Sequence, residues 1–253
     1  MNKTIAIITA RGGSKRIPRK NIREFFGQPM IKYAIDAALA SEIFDTVMVS
    51  TDDEEIAQIA KLYGADVPFM RSEATSNDFA TTFDVLHEVI NQYKKNRLEF
   101  DSLCCIYPCV PFLTGDTLVK AYDVFTKNDI DALMPVVKFS YPIQRALRIN
   151  NNGLLEYTYP EYVSSRSQDL EPMYHDAGMF YFYKCNSLSN KNKKIRHFEM
   201  KEYEIQDIDT EEDWHYAEMK YRIIPPPRNI FIFLALLYKS MPEKWCEKLR
   251  ARI

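Results

Sequence analysis

Thr4-Ile5-Ala6-Ile7-Ile8-Thr9-Ala10-Arg11-Gly12-Gly13-Ser14-Lys15-Arg16-Ile17-Pro18-Arg19-Lys20-Asn21-Ile22-Arg23 is the stretch on which the fold turns. Thr4 to Ile8 is a short apolar run of the kind that forms a buried parallel strand. Arg11 to Arg23 then carries six positive charges and no negative one in thirteen residues. An open α/β sheet binds its ligand beyond the carboxyl ends of its strands. Glycines there let the backbone approach a phosphate, and Arg and Lys supply the countercharge. The stretch contains neither G-x-x-x-x-G-K-[ST] nor G-x-G-x-x-G. It reads as a polyphosphate cradle of another make. A basic run also suits nucleic acid or an import signal, and most such runs are solvated surface. The Gly-Gly pair directly after a buried strand, stiffened by Pro18, favours phosphate.

The chain has 253 residues, 46% hydrophobic and 27% charged, enough for one α/β domain or one domain with an insertion. Its net charge of −2 makes the basic loop a local feature and argues against a general nucleic-acid binder. With only 7 glycines in the chain, the Gly12-Gly13 pair gains weight. Five cysteines, four scattered histidines and no C-x-x-C argue against a zinc site and for reduced core thiols in a cytoplasmic protein. A strand pattern begins at Thr4 with no A-x-A-like cleavage site, so no secretory leader is expected.

Strands and helices alternate through the first half. The periodicity predicts a helix from Pro29 to Leu39, with Pro29 in its first turn, and a strand over Thr46–Ser50. Thr51 is expected to cap a helix that opens on Asp52-Asp53-Glu54-Glu55 and stops at Gly64. A short strand Asp66–Met70, a helix from Thr81 to Tyr93, a strand Ser102–Tyr107, a helix Asp116–Phe125 and a strand Ala132–Val137 follow. The pattern is α/β, doubly wound, with a mostly parallel sheet. Residues 139–174 break it. Arg145–Ile149 and Leu154–Tyr157 flank Asn150-Asn151-Asn152-Gly153, a hairpin signal. Strands are expected again at Gly178–Tyr183 and Tyr203–Ile208, then a helix from Glu211 to about Tyr221. Pro225-Pro226-Pro227 opens an amphipathic tail over 223–253. Its nine apolar residues Ile230–Tyr238 fall short of the roughly 20 that span a bilayer, so no stable membrane insertion is expected.

Asp207-Ile208-Asp209 is the second informative feature. On an extended backbone residues two apart face the same way, so the two carboxylates converge. With phosphate oxygens and waters they suit Mg²⁺. A helix cap before Glu211 is the competing explanation for Asp209. Arg166, in Ser164-Ser165-Arg166-Ser167-Gln168-Asp169, offers a fork for an acidic ligand. His175 stands beside Asp176, but neighbours usually face apart.

These blocks resemble the CMP-acylneuraminate synthetase (cytidylyltransferase) family. Ala10 to Asn21 looks like its first motif, and Asp207 to Trp214 like its last. Ser50-Thr51-Asp52-Asp53-Glu54-Glu55, Tyr107-Pro108-Cys109-Val110-Pro111-Phe112 and Ser165 to Asp169 before His175-Asp176-Ala177-Gly178 fit between them. The matching blocks run from residue 4 to about 220. Lys15-Arg16-Ile17-Pro18-Arg19-Lys20-Asn21 is most similar to the branch that acts on pseudaminic acid.

The resemblance implies a nucleotide-diphospho-sugar transferase fold, Rossmann-like. Residues 1–138 and 175–222 would form its core and 139–174 a β-hairpin dimerisation insertion. It implies transfer of CMP from CTP to an acidic nine-carbon sugar, pyrophosphate release, Mg²⁺ and a homodimer, with no nucleic-acid partner. It places Arg11, Gly12, Gly13, Ser14 and Lys20 on the triphosphate, and Asn21, Arg71 and Thr82 on the cytidine. Tyr107, Arg166, Gln168 and His175 would face the sugar, and Asp207 with Asp209 would hold the metal. Arg11, Lys20 and Asp209 would serve catalysis, with the general base open between a metal-bound water, Asp209 and His175. His175 and Ala177 stand where neuraminate enzymes carry an Arg and an Asn, which points to another nonulosonic acid. Thr9, Cys109-Val110 and Met179 also depart from the usual pattern. N-acetylneuraminic, legionaminic and 3-deoxy-manno-octulosonic acids are the rival substrates. A non-catalytic nucleic-acid binder or an inactive paralogue is the rival of another class.

Overall fold

Every residue from Thr4 to Ile8 is buried in strand β1 (Thr4–Thr9), as a central parallel strand requires. A computed structural model describes residues 3–223. After the basic loop come a two-residue ribbon, β2 (Glu24–Phe25) and β3 (Gln28–Pro29), and helix α1 (Met30–Ser41). Then follow β4 (Thr46–Ser50), α2 (Glu54–Leu62), the one-turn α3 (Glu73–Ser76) and α4 (Thr82–Lys95). β5 (Ser102–Ile106), α5 (Gly115–Thr126) and β6 (Ala132–Lys138) complete the regular part. The hairpin β7 (Leu147–Ile149) and β8 (Leu155–Tyr157) lies in the insertion, and β9 (Tyr174–Asp176), β10 (Phe180–Lys184), β11 (Ile195–Met200) and α6 (Glu211–Ile223) close the described chain.

The main sheet runs β11-β6-β10-β5-β1-β4, with β9 also paired to β6. β1 is parallel to β4 and β5, and β11 to β6, whereas β9 and β10 run antiparallel to their neighbours. Alternation along β1 divides the core. Ala6 and Ile8 pack with Ile31 and Ile35 of α1, Ile56 of α2 and Leu118 of α5. Ile5 and Ile7 pack on the other face with Leu86, Val89 and Tyr93 of α4. Helices on both faces make the sheet doubly wound. Cys104 and Cys105 fall in opposite clusters, and Cys104, Cys105, Cys109 and Cys185 are all free thiols.

A third cluster positions the site. Ile17 of the basic loop, Phe25, Met30 and Tyr33 close around Trp214, Ala217 and Tyr221 of α6, with Ile208 inside. The basic loop and the Asp207–Asp209 segment are thus anchored to one apolar plug. Phe25 meets Tyr33, Trp214 and Tyr221 edge-on at 5.7, 5.5 and 5.2 Å.

Several local expectations are corrected. Asp53, not Thr51, caps α2, its side chain accepting from the Ile56 N–H at 3.0 Å. Pro29 precedes α1 rather than opening its first turn. Asp66–Met70 makes only one bridge, Asp66 to Met48, because Pro68 has no N–H to continue a ladder. Tyr203–Ile208 is no strand: a 3-10 turn at Glu202–Glu204 leads into irregular backbone. The sheet edge is taken instead by β11, whose mixed Ile195-Arg196-His197-Phe198-Glu199-Met200 carries no clean period-2 signal. The proposed 223–253 tail lies, from residue 224, outside the described residues. Among the described residues no helix is long and apolar enough to cross a membrane.

Candidate active site

The carboxyl end of β1 releases the chain into the basic loop at the sheet's edge, and a cavity of about 400 Å³ opens there. Thr9, Arg11, Ser14, Lys15, Arg16, Lys20, Asn21, Pro108 and Asp209 line it together with Ile17. Asn21 shapes the loop from beneath. It is 4% exposed, and its Nδ2 donates to the Arg11 carbonyl at 2.8 Å. Its Oδ1 accepts from the Cys109 thiol at 3.3 Å. Burial pushes that thiol up to about 12, so Cys109 is a neutral wall and not a nucleophile.

The two glycines differ. A Cβ on Gly12 would lie 2.8 Å from Asp53 Oδ2, so Gly12 is needed for close approach to α2's cap residue. Its N–H donates to Asp52 Oδ1 at 2.9 Å. A Cβ on Gly13 would meet nothing within 4 Å. Asp53 also grips Arg19, which holds the Asp53 carboxyl below the usual range. Arg19, one of the six loop cations, is therefore spent on the loop's own geometry.

Asp209 takes the cavity's far side. Its carboxylate accepts from Arg16 Nη2 at 2.7 Å and Lys20 Nζ at 3.3 Å. Lys20 also donates to the Ile208 carbonyl at 2.6 Å. Thr210 and Asp213 form the helix cap between them, Asp213 N–H to Thr210 Oγ1 at 3.2 Å and Thr210 N–H to Asp213 Oδ2 at 2.8 Å. Asp209 is thereby free of the capping role. Ile208 is buried in the apolar plug on irregular backbone, and of the two flanking acids Asp209 lines the cavity while Asp207 is not among its lining residues. Burial, and then the Asp209 charge, push the Asp207 carboxyl above its usual value. Asp207 joins no ion pair among the described residues. The Asp209 charge is felt at Asp207, and two such neighbouring carboxylates are a donor set suited to a hard divalent cation. Among the described residues no three His, Cys, Asp or Glu side chains group to hold a metal, so further ligands would have to be phosphates and waters.

Other sequence-derived site residues are distributed unevenly. Arg71 sits at the carboxyl end of β4, its guanidinium bound to Ser50 O at 2.6 Å and Ser50 Oγ at 3.0 Å. Thr82 is the first residue of α4, half-buried. Tyr107 follows β5 and lies edge-on to Tyr181 at 5.5 Å. His175 pairs with Val137 on the face of the first cluster, its Nδ1 against its neighbour's carbonyl and its ring 5.0 Å from Phe139. Asp176 occupies the opposite face. Its carboxylate receives the Tyr181 hydroxyl at 2.8 Å and the Gly178 N–H at 2.8 Å, beside Tyr107. Arg166 and Gln168 lie exposed in the insertion, and neither lines the cavity. Sequence reasoning missed Asp78, whose carboxylate pairs with Arg11 and Lys15 of the cavity lining. A lone Asp in a polar loop gives no local signal.

A cationic cavity at the carboxyl edge of a doubly wound, mostly parallel sheet defines a nucleotide-binding α/β protein. The family model for cytidylyltransferases matches residues 5–221. A pseudaminic acid cytidylyltransferase of Campylobacter jejuni is 40% identical over 225 residues, covering 87% of this chain and 97% of that one. N-acylneuraminate cytidylyltransferase A of Danio rerio is 34% identical over 220 residues, 85% of this chain and 50% of that one. Among solved structures, a CMP:2-keto-3-deoxy-manno-octonic acid synthetase complexed with CTP superposes with a TM-score of 0.64 at 19% identity, over 86% of this chain and 97% of that one. The chain belongs to the cytidylyltransferase family.

Proposed function

We propose that this protein transfers CMP from CTP to the anomeric hydroxyl of a nonulosonic acid, most favourably pseudaminic acid, and releases pyrophosphate. The observation that carries this is the ring of Arg11, Lys15, Arg16 and Lys20 around one cavity, with Asp209 at its wall, in a chain of this family. The 40% identity to a pseudaminic acid cytidylyltransferase over nearly the whole of that protein supports the choice of sugar.

In the reaction an oxygen–phosphorus bond forms at the α-phosphorus and the bond to the β-phosphate oxygen breaks. The hydroxyl proton passes to a base in the cleft. Positioning and charge stabilisation supply most of the catalysis. Arg11 and Lys20 would neutralise the α-phosphate and the leaving pyrophosphate, with Ser14 and the Gly12-Gly13 turn holding the chain of phosphates. Asn21, Arg71 and Thr82 would frame the cytidine. Tyr107 would meet the sugar, with Arg166, Gln168 and His175 assigned to the same ligand. Asp207 and Asp209 would hold Mg²⁺, which when bound supplies charge neutralisation at the phosphates.

The insertion favours a homodimer. Ile149, Leu154 and Leu155 on the hairpin are 73, 63 and 67% exposed. An uncovered apolar hairpin calls for a second surface. A second copy would cover the hairpin and could carry Arg166 and Gln168 toward a neighbouring sugar site. The adjacent free thiols suit a reducing cytoplasm, where CTP is made.

Pyrophosphate release from CTP with a panel of nonulosonic acids, with and without Mg²⁺, tests the reading. Pseudaminic acid is expected to exceed N-acetylneuraminic acid in kcat/KM by about 10- to 100-fold. Asp207→Ala and Asp209→Ala are each expected to lower kcat by about 10²-fold. Full activity of both variants would remove the metal assignment, and a preference for N-acetylneuraminic acid would remove the sugar assignment alone.

A further inference from the structure

Asp78 engages two of the cavity's cations. Its Oδ1 accepts from Arg11 Nη1 at 2.9 Å, and its Oδ2 pairs with Lys15 Nζ. Both cations line the cavity. Asp78 comes from the loop between α3 and α4, 67 residues along the chain from Arg11 and 63 from Lys15. That loop presents it. Asn77 Oδ1 accepts the N–H groups of Phe79 at 2.9 Å and Ala80 at 3.1 Å, an Asx turn with Asp78 at its tip. The Thr81 capping box and Thr82 follow at once. Phe79, beside the tip, is 94% exposed, so no apolar packing of its side chain ties the tip down. The two cations hold the Asp78 carboxyl below its usual range, Lys15 first and Arg11 next.

We propose that Asp78 is a built-in competitor of the nucleotide's phosphates, neutralising Arg11 and Lys15 in the free protein and leaving them when the triphosphate enters. This rests on the basic loop being the triphosphate site. A triphosphate cannot share two cations with a carboxylate at hydrogen-bond range without like-charge repulsion. The Asp78 pairs are exposed by about half, so water and salt already weaken them and displacement is easy. Asp78 would return as pyrophosphate departs, which weakens product binding and keeps stray anions from filling the cradle. Asp209 is a different case: its cations Arg16 and Lys20 can pass to phosphate while its carboxylate passes to a metal. Asp78 is left with no such second partner in the cavity, and so must swing out.

Calorimetric titration without added metal separates this from a positioning role. Wild type and Asp78→Asn are each titrated with CTP, with pyrophosphate and with cytidine. Asp78→Asn is expected to bind CTP and pyrophosphate about 3- to 10-fold tighter, the scale of two exposed ion pairs, and cytidine unchanged. The gain should shrink at high salt. In turnover the variant's KM for CTP should fall and pyrophosphate should inhibit at lower concentration, with no rise in kcat. Equal or weaker binding of CTP and pyrophosphate by Asp78→Asn would overturn the proposal and make Asp78 an orienting partner of Arg11 and Lys15. An equal gain for cytidine would overturn it too, as a general loosening of the loop. Wild-type protein that binds neither CTP nor pyrophosphate would overturn the nucleotide reading itself, and this inference with it.

Discussion

Asp207 is a carboxyl that the fold holds at a cost to itself. Its carboxyl is raised by burial and by the Asp209 charge. The folded protein thus holds this proton more tightly than the unfolded chain does. Below about pH 3.9, the usual aspartate value, both states are protonated and Asp207 costs nothing. As pH rises through the folded pKa, the folded state must ionise a crowded group, and stability is lost. Asp207→Asn should therefore raise the Tm of the ligand-free protein at pH 7 by about 1–3 °C, while the gain vanishes near pH 3. Scanning calorimetry at the two pH values checks this. A lower Tm at pH 7 would show that the carboxylate is stabilising as it stands. Loss of activity with a gain in stability is the trade expected at a binding site.

At the scale of elements, the basic loop is held from three sides. Asn21 ties it to its own first residue, Ile17 enters the apolar plug of α6, and Gly12 rests against the cap of α2. Asp53 thus serves as cap, as Arg19's partner and as the surface Gly12 approaches. Gly12→Ala would put a methyl 2.8 Å from Asp53 Oδ2, so loop or helix must shift. The expected result is a loss of about 1–3 kcal/mol in stability, as for other overpacked sites, and at least about a tenfold fall in kcat/KM. Removing the obstacle tests the cause. In an Asp53→Gly background, which takes away both the carboxylate and the Cβ that would lie 3.0 Å from the new methyl, Gly12→Ala should cost markedly less, and a double-mutant cycle on denaturant midpoints measures the difference. Strict additivity would break the link between the two residues. Elements also differ in how far they can be read from sequence. β1, β5 and α4 carry dense local patterns. β11 alternates poorly because it is an edge strand, and only pairing with β6 makes it a strand.

On the scale of the whole molecule, the exposed hairpin is the least reconciled surface. Ile149 and Leu155 are direct cross-strand partners on β7 and β8, both largely exposed. Placing a charge there costs an isolated chain little and an apolar interface much. Ile149→Asp is expected to leave the Tm of the core within about 2 °C and to shift a dimer to a monomer by light scattering at micromolar concentration. A wild-type monomer that is fully active would remove the homodimer.

The local features of the chain are legible because local physics makes them. An apolar run makes a strand, and the cationic Gly-Gly loop that follows it lines a cavity, whereas Asp207-Ile208-Asp209, expected on a strand, lies on irregular backbone with Asp209 in the cavity lining and Asp207 outside it. Arg11, Ser14, Lys20, Asn21 and Asp209 meet in one cavity as those patterns imply. What tertiary structure alone decided are the partnerships across sequence. Asp78 reaches Arg11 and Lys15 over more than sixty residues, and Asp53 reaches Arg19 over 34. β10 runs antiparallel between β5 and β6, and it brings Tyr181 and Asp176 beside Tyr107 while His175 turns to the other face. No local pattern encodes such pairings, because they are set by which loop ends a sheet brings to one edge. Charge, which acts over several ångströms without regard to sequence distance, then settles between them.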